Sequence, residues 1–502
     1  MPLKSLVLIK HINNNNLLIK ISWLLLVFSL PITSLAVLSR ALGGTSVAPL
    51  SAIFLLILVT LWLGPGIIKG KGIPIQAIPI LGFMIIAIIT SLLSFFRPTP
   101  SFKNIPPWRN SLEGIITLGM GLCFYLTIAL FVDNKEKLLG FIRLINYSGA
   151  VILVYSLIQA GVWLRLENYP DLLLRIQSFI SSSGVLFDGR VTGLAFEPSW
   201  LAHQLNMLYL PIWFGMSLRS VTAHKFKIWK VSFENVLACF GMVILFFSYS
   251  RIGWLAFLAM IAYLFLRFVI RLSYVFTRWI KTKRAKPLNH VHNILIHFVF
   301  WIGFLVVFSI SLMIAGLFLT KLDPRMAGLF NLTPLKQFGV LGWASRLVFA
   351  ERLVYWITGF RVFLQHPFLG VGIGYSGYYF PETVNDFGYK LTEIVRILMS
   401  DTFIPNAKNL WVRILAETGI IGFSFFASWL YMHWKSANNV EKHSDKLIAS
   451  FGLIGQIFLV GFILEGFSLD TFGLPYIWVS MGLIVAVYRI AVEKANSIEK
   501  DL

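Results

Sequence analysis

Long blocks without a formal charge constrain this chain more than any other feature. Residues 75–96 and 294–320 are two of them, uninterrupted by Lys, Arg, Asp or Glu. About 20 apolar residues in a helix cover about 30 Å of hydrocarbon at about 1.5 Å per residue. Only 13% of the 502 residues are charged and 57% are hydrophobic, where a soluble domain carries about 25% charged residues. The chain therefore reads as an all-α polytopic membrane protein, and soluble or disordered classes are excluded. Twelve spans are expected, near 18–38, 47–64, 74–96, 112–132, 143–163, 194–217, 233–249, 251–270, 294–319, 411–434, 447–467 and 472–491.

An even number of spans puts both termini on one side, and basic residues indicate which. With the N-terminus in the cytoplasm, 25 of the 43 Lys and Arg lie inside and 18 outside, 10 of these in one loop between about Lys321 and Arg413. Only short loops, up to roughly 60 residues, orient a membrane protein. Setting that loop aside leaves 25 against 8, so both termini are expected in the cytoplasm. The inside set includes Lys69, Lys71, Lys135, Lys137, Arg219, Lys225 and the block Arg271–Lys286. The formal charge of +21 is thus largely topological and argues against a nucleic-acid partner. Lys4, Lys10 and Lys20 ahead of an apolar run resemble a secretory signal, but with eleven further spans an uncleaved first helix is expected. Cys123 and Cys239 both fall inside spans, which gives disulfide or metal chemistry no support. His290-x-His292 beside Pro287 reads as a solvated loop.

The outside segment 320–412 is too long for a plain connection. Within it, 345–364 is expected to be a helix, with Phe349, Leu353, Ile357, Phe360 and Leu364 on one apolar stripe. Glu351 and Tyr355 fall opposite, with Arg352 on the flank. Such a helix either lies on the membrane surface or packs over a cavity with Arg352 aimed into it.

Charges at the edges of spans cost about 2.5–3.5 kcal/mol each and usually face a cavity or partner. Three groups meet this description. The first runs from Asp188 and Arg190 to Glu197-Pro-Ser199-Trp200, His203 and Gln204, whose spacing allows one polar helix face. The bland alternative is a helix start, with Glu197 serving free N–H groups. The second is Ser248-Tyr-Ser-Arg251, a tight outside turn whose arginine either serves a site or snorkels. The third joins Arg352, His366-Pro-Phe-Leu-Gly370-Val-Gly372-Ile-Gly374, and Asn406-Ala-Lys408-Asn409 through Arg413, Glu417, Gly419 and Gly422. Gly372–Gly377 fits G-x-G-x-x-G, but no βαβ unit surrounds it. Those glycines are expected to allow a tight turn and close backbone approach.

Taken in order, S-x-S-R (Ser248–Arg251), R-x-x-x-W (Arg352–Trp356), H-P-h-h-G-x-G (His366–Gly372, h apolar) and N-x-x-N-L…A-E-x-G-I-x-G (Asn406–Gly422) resemble the bacterial O-antigen ligase and O-antigen polymerase family. The resemblance covers about 185–435, leaving 1–184 and 436–502 as flanking transmembrane regions. It implies a GT-C-like fold of about twelve transmembrane helices with one large extracytoplasmic loop containing helices, in the bacterial inner membrane. It also implies an inverting glycosyltransferase that takes a glycan from a polyprenyl-pyrophosphate carrier on the outer face. The acceptor is a glycan or lipid hydroxyl, and a chain-length regulator is a further possible partner. By the resemblance, Arg251 and Arg352, with Arg190 beside them, hold pyrophosphate. Lys408 falls where most members have the histidine of an H-N pair, and Asn409 matches the asparagine. That departure leaves the base open. A histidine starts near pKa 6.5 and a lysine near 10.4, so Lys408 suits an electrostatic role, with Glu197, or less favourably Glu417, as base. His203, Tyr355 and Asn409 complete the expected substrate contacts.

Arginine stays charged and its planar fork matches phosphate oxygens, so no metal or cofactor is expected. Two competing functions use the same carrier. A flippase suits twelve spans and a basic cavity, but transporters often carry matching repeats in both halves, and 345–415 has no counterpart in the first half. A peptidoglycan-type polymerase fits the motifs poorly.

Overall fold

The computed structural model describes residues 17–166, 168–225, 227–283, 290–322, 328, 331, 333–400 and 403–500. Lys4, Lys10, Lys286 and Pro287, invoked above, lie outside the described residues. The elements are helices apart from one short hairpin, Lys227–Ile228 with Val231–Ser232, and one isolated bridge. Among the described residues nine helices are long and apolar enough to cross a membrane, and Leu17–Phe28 and Phe233–Phe247 are shorter apolar helices. The expected span near 194–217 is a composite helix, 198–218. The first expected span is helical only over Leu17–Phe28 and again from Ala36, each of the other blocks has a helix through most of its length, and the chain is an all-α polytopic membrane protein.

The composite helix owes its form to Pro211. Proline has no N–H for the carbonyl four residues back, which here is Met207. Ser480 donates its hydroxyl to that oxygen at 2.6 Å, and residues 205–209 widen into a π turn. Inside a bilayer such a freed carbonyl needs a protein donor, so this contact also binds the helix to Pro475–Lys500.

Burial ranks the helices. Lys446–Glu465 is 83% buried over its most apolar stretch, whereas His292–Ile314 is 6% buried. The first packs on Leu410–Glu441, Arg251–Lys283 and 198–218, and the second chiefly on Arg251–Lys283. A helix that is apolar on all sides and nearly unburied faces lipid.

The long loop carries helices Thr333–Arg346, Ala350–Gln365 and Thr392–Met399 and a small core of its own around Val354, Tyr355, Phe380 and Ile394. The single helix expected over 345–364 is thus two helices, separated at 347–349, where Val348 has φ 51°. Its buried face also differs from the expected stripe. Ala350, Val354, Tyr355, Thr358, Gly359 and Val362 point inward, while Phe360 and Leu364 are exposed. Small size, not hydrophobicity alone, selects that face. A Cβ on Gly359 would come within 2.9 Å of the Ala407 side chain and 2.8 Å of Val412, so the helix packs closely on 407–412.

Leu410–Glu441 is two rods joined at Gly419, whose φ 64° and ψ −168° belong to a region essentially reserved for glycine. The break releases backbone groups, and the motif 367–372 satisfies them. Val371 N–H donates to Ala416 O at 3.0 Å and Gly372 N–H to Glu417 O at 2.8 Å. In return Ile420 N–H reaches Pro367 O at 2.8 Å. A Cβ on Gly370 would lie 2.6 Å from Ala416 O, and one on Gly419 would lie 2.2 Å from Phe368 O. The glycines therefore allow close backbone approach, as expected, and the backbone they approach is a broken membrane helix.

Candidate functional site

The three motif groups meet at one end of the bundle. The turn Ser248–Arg251 receives Arg190, whose Nε donates to Ser248 O at 3.1 Å. Arg251 reaches across to the loop, donating Nη2 to Val348 O at 3.0 Å and Nη1 to Leu347 O. These carbonyls lie one helical turn before Arg352. Arg352 is half-buried and makes no hydrogen bond or ion pair among the described residues.

Lys408 and Asn409 sit at the foot of helix Leu410–Glu441. Lys408 adopts φ 50°, held by its N–H donating to Asn406 Oδ1 at 2.9 Å. Its ammonium pairs with Asp470 at 3.1 Å. Asn409 caps the helix: its Oδ1 accepts from Trp411 N–H at 2.9 Å and Val412 N–H at 3.2 Å. That oxygen is committed to the backbone.

Asp470, in the turn between the last two spans, is the acid that sequence reasoning passed over. Burial pushes its carboxyl up, but Lys408, then Arg413 and Arg352, hold it below the usual carboxylate range. Its backbone oxygen takes Arg413 Nη1 and, at 3.5 Å, Asn406 Nδ2. Three basic side chains from two elements thus converge on one residue. Leu410 N–H to Gly466 O at 2.8 Å and the Trp356–Phe467 ring contact at 5.7 Å lock the same turn to the loop.

Glu465, five residues earlier, is fully buried and was also missed. It accepts from Asn206 Nδ2 at 2.5 Å and lies 2.7 Å from His203 Nδ1. A charge at the edge of the span 447–467 was the available signal. Tyr476, whose buried hydroxyl has no partner among the described residues, lies within electrostatic range of Glu465, Glu197 and Asp470.

Several expected contacts resolve differently. Glu197, Ser199, His203 and Gln204 do not act as one polar face. Ser199 donates to Glu197, His203 turns to Glu465, and Gln204 Nε2 donates to Pro31 O at 2.9 Å. Glu197 occupies the N-cap position but its side chain caps no N–H, so the bland reading fails as well. Tyr355 is buried in the loop core and donates to Glu393 at 3.0 Å. Its acidity is suppressed, first by burial and then by Glu393. Glu417 is buried and fully engaged, accepting Arg413 Nε at 3.0 Å and Ser376 Oγ at 2.9 Å. A carboxylate so paired braces the helix break and is not poised as a base.

The fold and this end of the bundle define a class: a polytopic membrane protein with a cationic, partly buried site built where a helical loop meets the helix ends. The chain is narrower than its class. Residues 236–427 match the family model described as O-antigen ligase, and this domain supports an O-antigen ligase/polymerase assignment. The match includes Arg251, Arg352, Lys408, Arg413 and Glu417, and leaves Glu197 and Asp470 outside it. No curated protein matches the chain. Membrane-based glycan processing of the O-antigen ligase type follows from the family.

Proposed function

We propose that the chain is a glycosyltransferase of the bacterial inner membrane, joining glycans delivered on a polyprenyl-pyrophosphate carrier at the outer face, with both termini in the cytoplasm. One observation carries the reading: Arg352, half-buried and without a hydrogen bond or ion pair among the described residues, lies within electrostatic range of Asp470, the partner of Lys408. A guanidinium held out of bulk water is a ready receptor for a bidentate anion. Arg352 takes the pyrophosphate directly. Arg251, with Arg190 behind it, keeps the loop closed over the bundle and adds positive charge at the same end.

As the glycosyl bond breaks, negative charge grows on the departing pyrophosphate, and preorganised cations act on charge as it develops. Lys408, already paired with Asp470, serves as such a cation. Glu197, half-buried and bonded only to Ser199, is the base that takes the acceptor's proton. The acceptor oxygen then attacks the anomeric carbon from the side opposite the leaving group, inverting it, with no metal needed. General-base help typically contributes about 10²–10⁴-fold, so Glu197→Gln is expected to keep measurable residual transfer.

The deciding experiment is the polysaccharide gel profile of a deletion strain complemented with variants. Loss of a ladder to single capped units marks a polymerase, and intact polymer left on the carrier marks a ligase. Repeat units trapped facing the cytoplasm would instead mark a flippase. Lys408→His is expected to retain or raise activity. Full activity in Arg352→Ala would remove the pyrophosphate assignment.

A further inference from the structure

A second candidate site lies far from this one. A cavity of about 220 Å³ opens between helices Arg251–Lys283 and His290–Leu322, lined by Leu266, Ile270, Ser273, Tyr274, His297 and Trp301 among others. One water needs roughly 10–15 Å³, so the space takes something larger. Ser273 lies about 33 Å along its helix from Arg251, a full hydrocarbon thickness. The cavity therefore sits at the opposite membrane boundary from the transfer site.

Its walls are graded. Leu266, Ile270 and Trp301 form the end nearer the bilayer centre. Toward the boundary, Ser273 Oγ and His297 Nδ1 are 3.0 Å apart, and the Tyr274 ring lies 4.9 Å from His297. Arg278 and Lys281, both exposed, follow Tyr274 by four and seven residues and so share its helix face. The outer helix packs chiefly on its one neighbour, so the cavity opens to lipid. A second protein helix, about 10 Å across, does not enter a space of this size. The occupant must be thin and apolar at one end and anionic at the other.

We propose that an anionic glycerophospholipid of this leaflet occupies the cavity. An acyl chain lies against Leu266, Ile270 and Trp301. The phosphate sits at the boundary, facing the Tyr274 hydroxyl, His297 and the charges of Arg278 and Lys281. The site is independent of the transfer reaction.

Native mass spectrometry of the full-length protein, titrated in detergent with phosphatidylglycerol or phosphatidylcholine, tests this. The expected preference for phosphatidylglycerol is about tenfold or more, from two basic side chains near the surface. Arg278→Gln with Lys281→Gln is expected to bring phosphatidylglycerol down to the phosphatidylcholine level. Ser273→Phe, which fills the cavity, is expected to lose both lipids. Equal binding of the two lipids by the wild type, or a preference unchanged in the charge variant, overturns the proposal. So does phosphatidylglycerol binding that persists in Ser273→Phe. If that variant fails to fold, judged by its melting temperature, the charge variant alone decides.

Discussion

The two ends of helix Leu410–Glu441 treat arginine differently. At the far end Arg219 and Arg267 both donate to Glu441, and Arg267 also reaches Gln456, whose amide returns to Glu441 at 2.9 Å. Cation and carboxylate there neutralise one another across four helices. At the site end Arg190 and Arg251 donate to backbone carbonyls. A carbonyl satisfies a guanidinium's geometry without cancelling its charge. One end spends its arginines on a shared carboxylate that holds helices together, and the other uses Arg190 and Arg251 to tie backbone turns and the loop into place.

The comparison breaks most decisively at Arg352. Arg352→Ala is expected to lower glycan transfer about 10²–10³-fold with little change in melting temperature, because the side chain holds no partner that folding relies on. Next comes Gly419→Ala, which forces a glycine-only conformation and a contact of 2.2 Å with Phe368 O. A loss of about 3 kcal/mol is expected, read as lower yield and melting temperature, with transfer falling alongside. Asp470→Asn removes the carboxylate that positions Lys408. It is expected to cost about ten- to hundredfold in transfer, with Asp470→Glu recovering part.

The far end should respond in the opposite sense. Glu441→Gln leaves two partly exposed arginines without their carboxylate, and a stability loss of about 1–2 kcal/mol is expected. Transfer per folded molecule should stay within about twofold; a larger drop would mean that both ends serve the chemistry. The smallest effect is on pH. Asp470 is held below its unfolded value, so its stabilising contribution is present above that value and lost as pH falls through the folded one. The stability gap between wild type and Asp470→Asn should therefore be constant from pH 7 to about 5 and shrink only below about 4.

The sequence was most legible where composition and period decide. Uncharged blocks located the helices, including the short Phe233–Phe247 and the π-widened 198–218. Motif order identified Arg251, Arg352 and Lys408, which do gather at one end. The helix 350–365 misled because an apolar stripe was assumed to face inward. In a membrane protein lipid also receives apolar residues, and here Phe360 and Leu364 are exposed while Gly359 makes the contact. Asn409 and Glu417 also carry structural duties that their motif did not reveal. A helix start and a helix break have backbone demands that such residues meet. Asp470 and Glu465 escaped because each is a lone acid near the end of a span, and only the fold brings them to Lys408 and His203.

Gly419 also has a consequence for motion. The loop segment 367–372 is hydrogen-bonded to both sides of the break, to Ala416 and Glu417 before it and to Ile420 after it, so it splints the two rods of the helix together. Amide exchange at Ile420 and at Val371 and Gly372 should therefore rise together when the loop opens. The same splint fixes the angle at which the foot carrying Lys408, Asn409 and Arg413 meets the turn at Asp470, at the point where the membrane helix breaks.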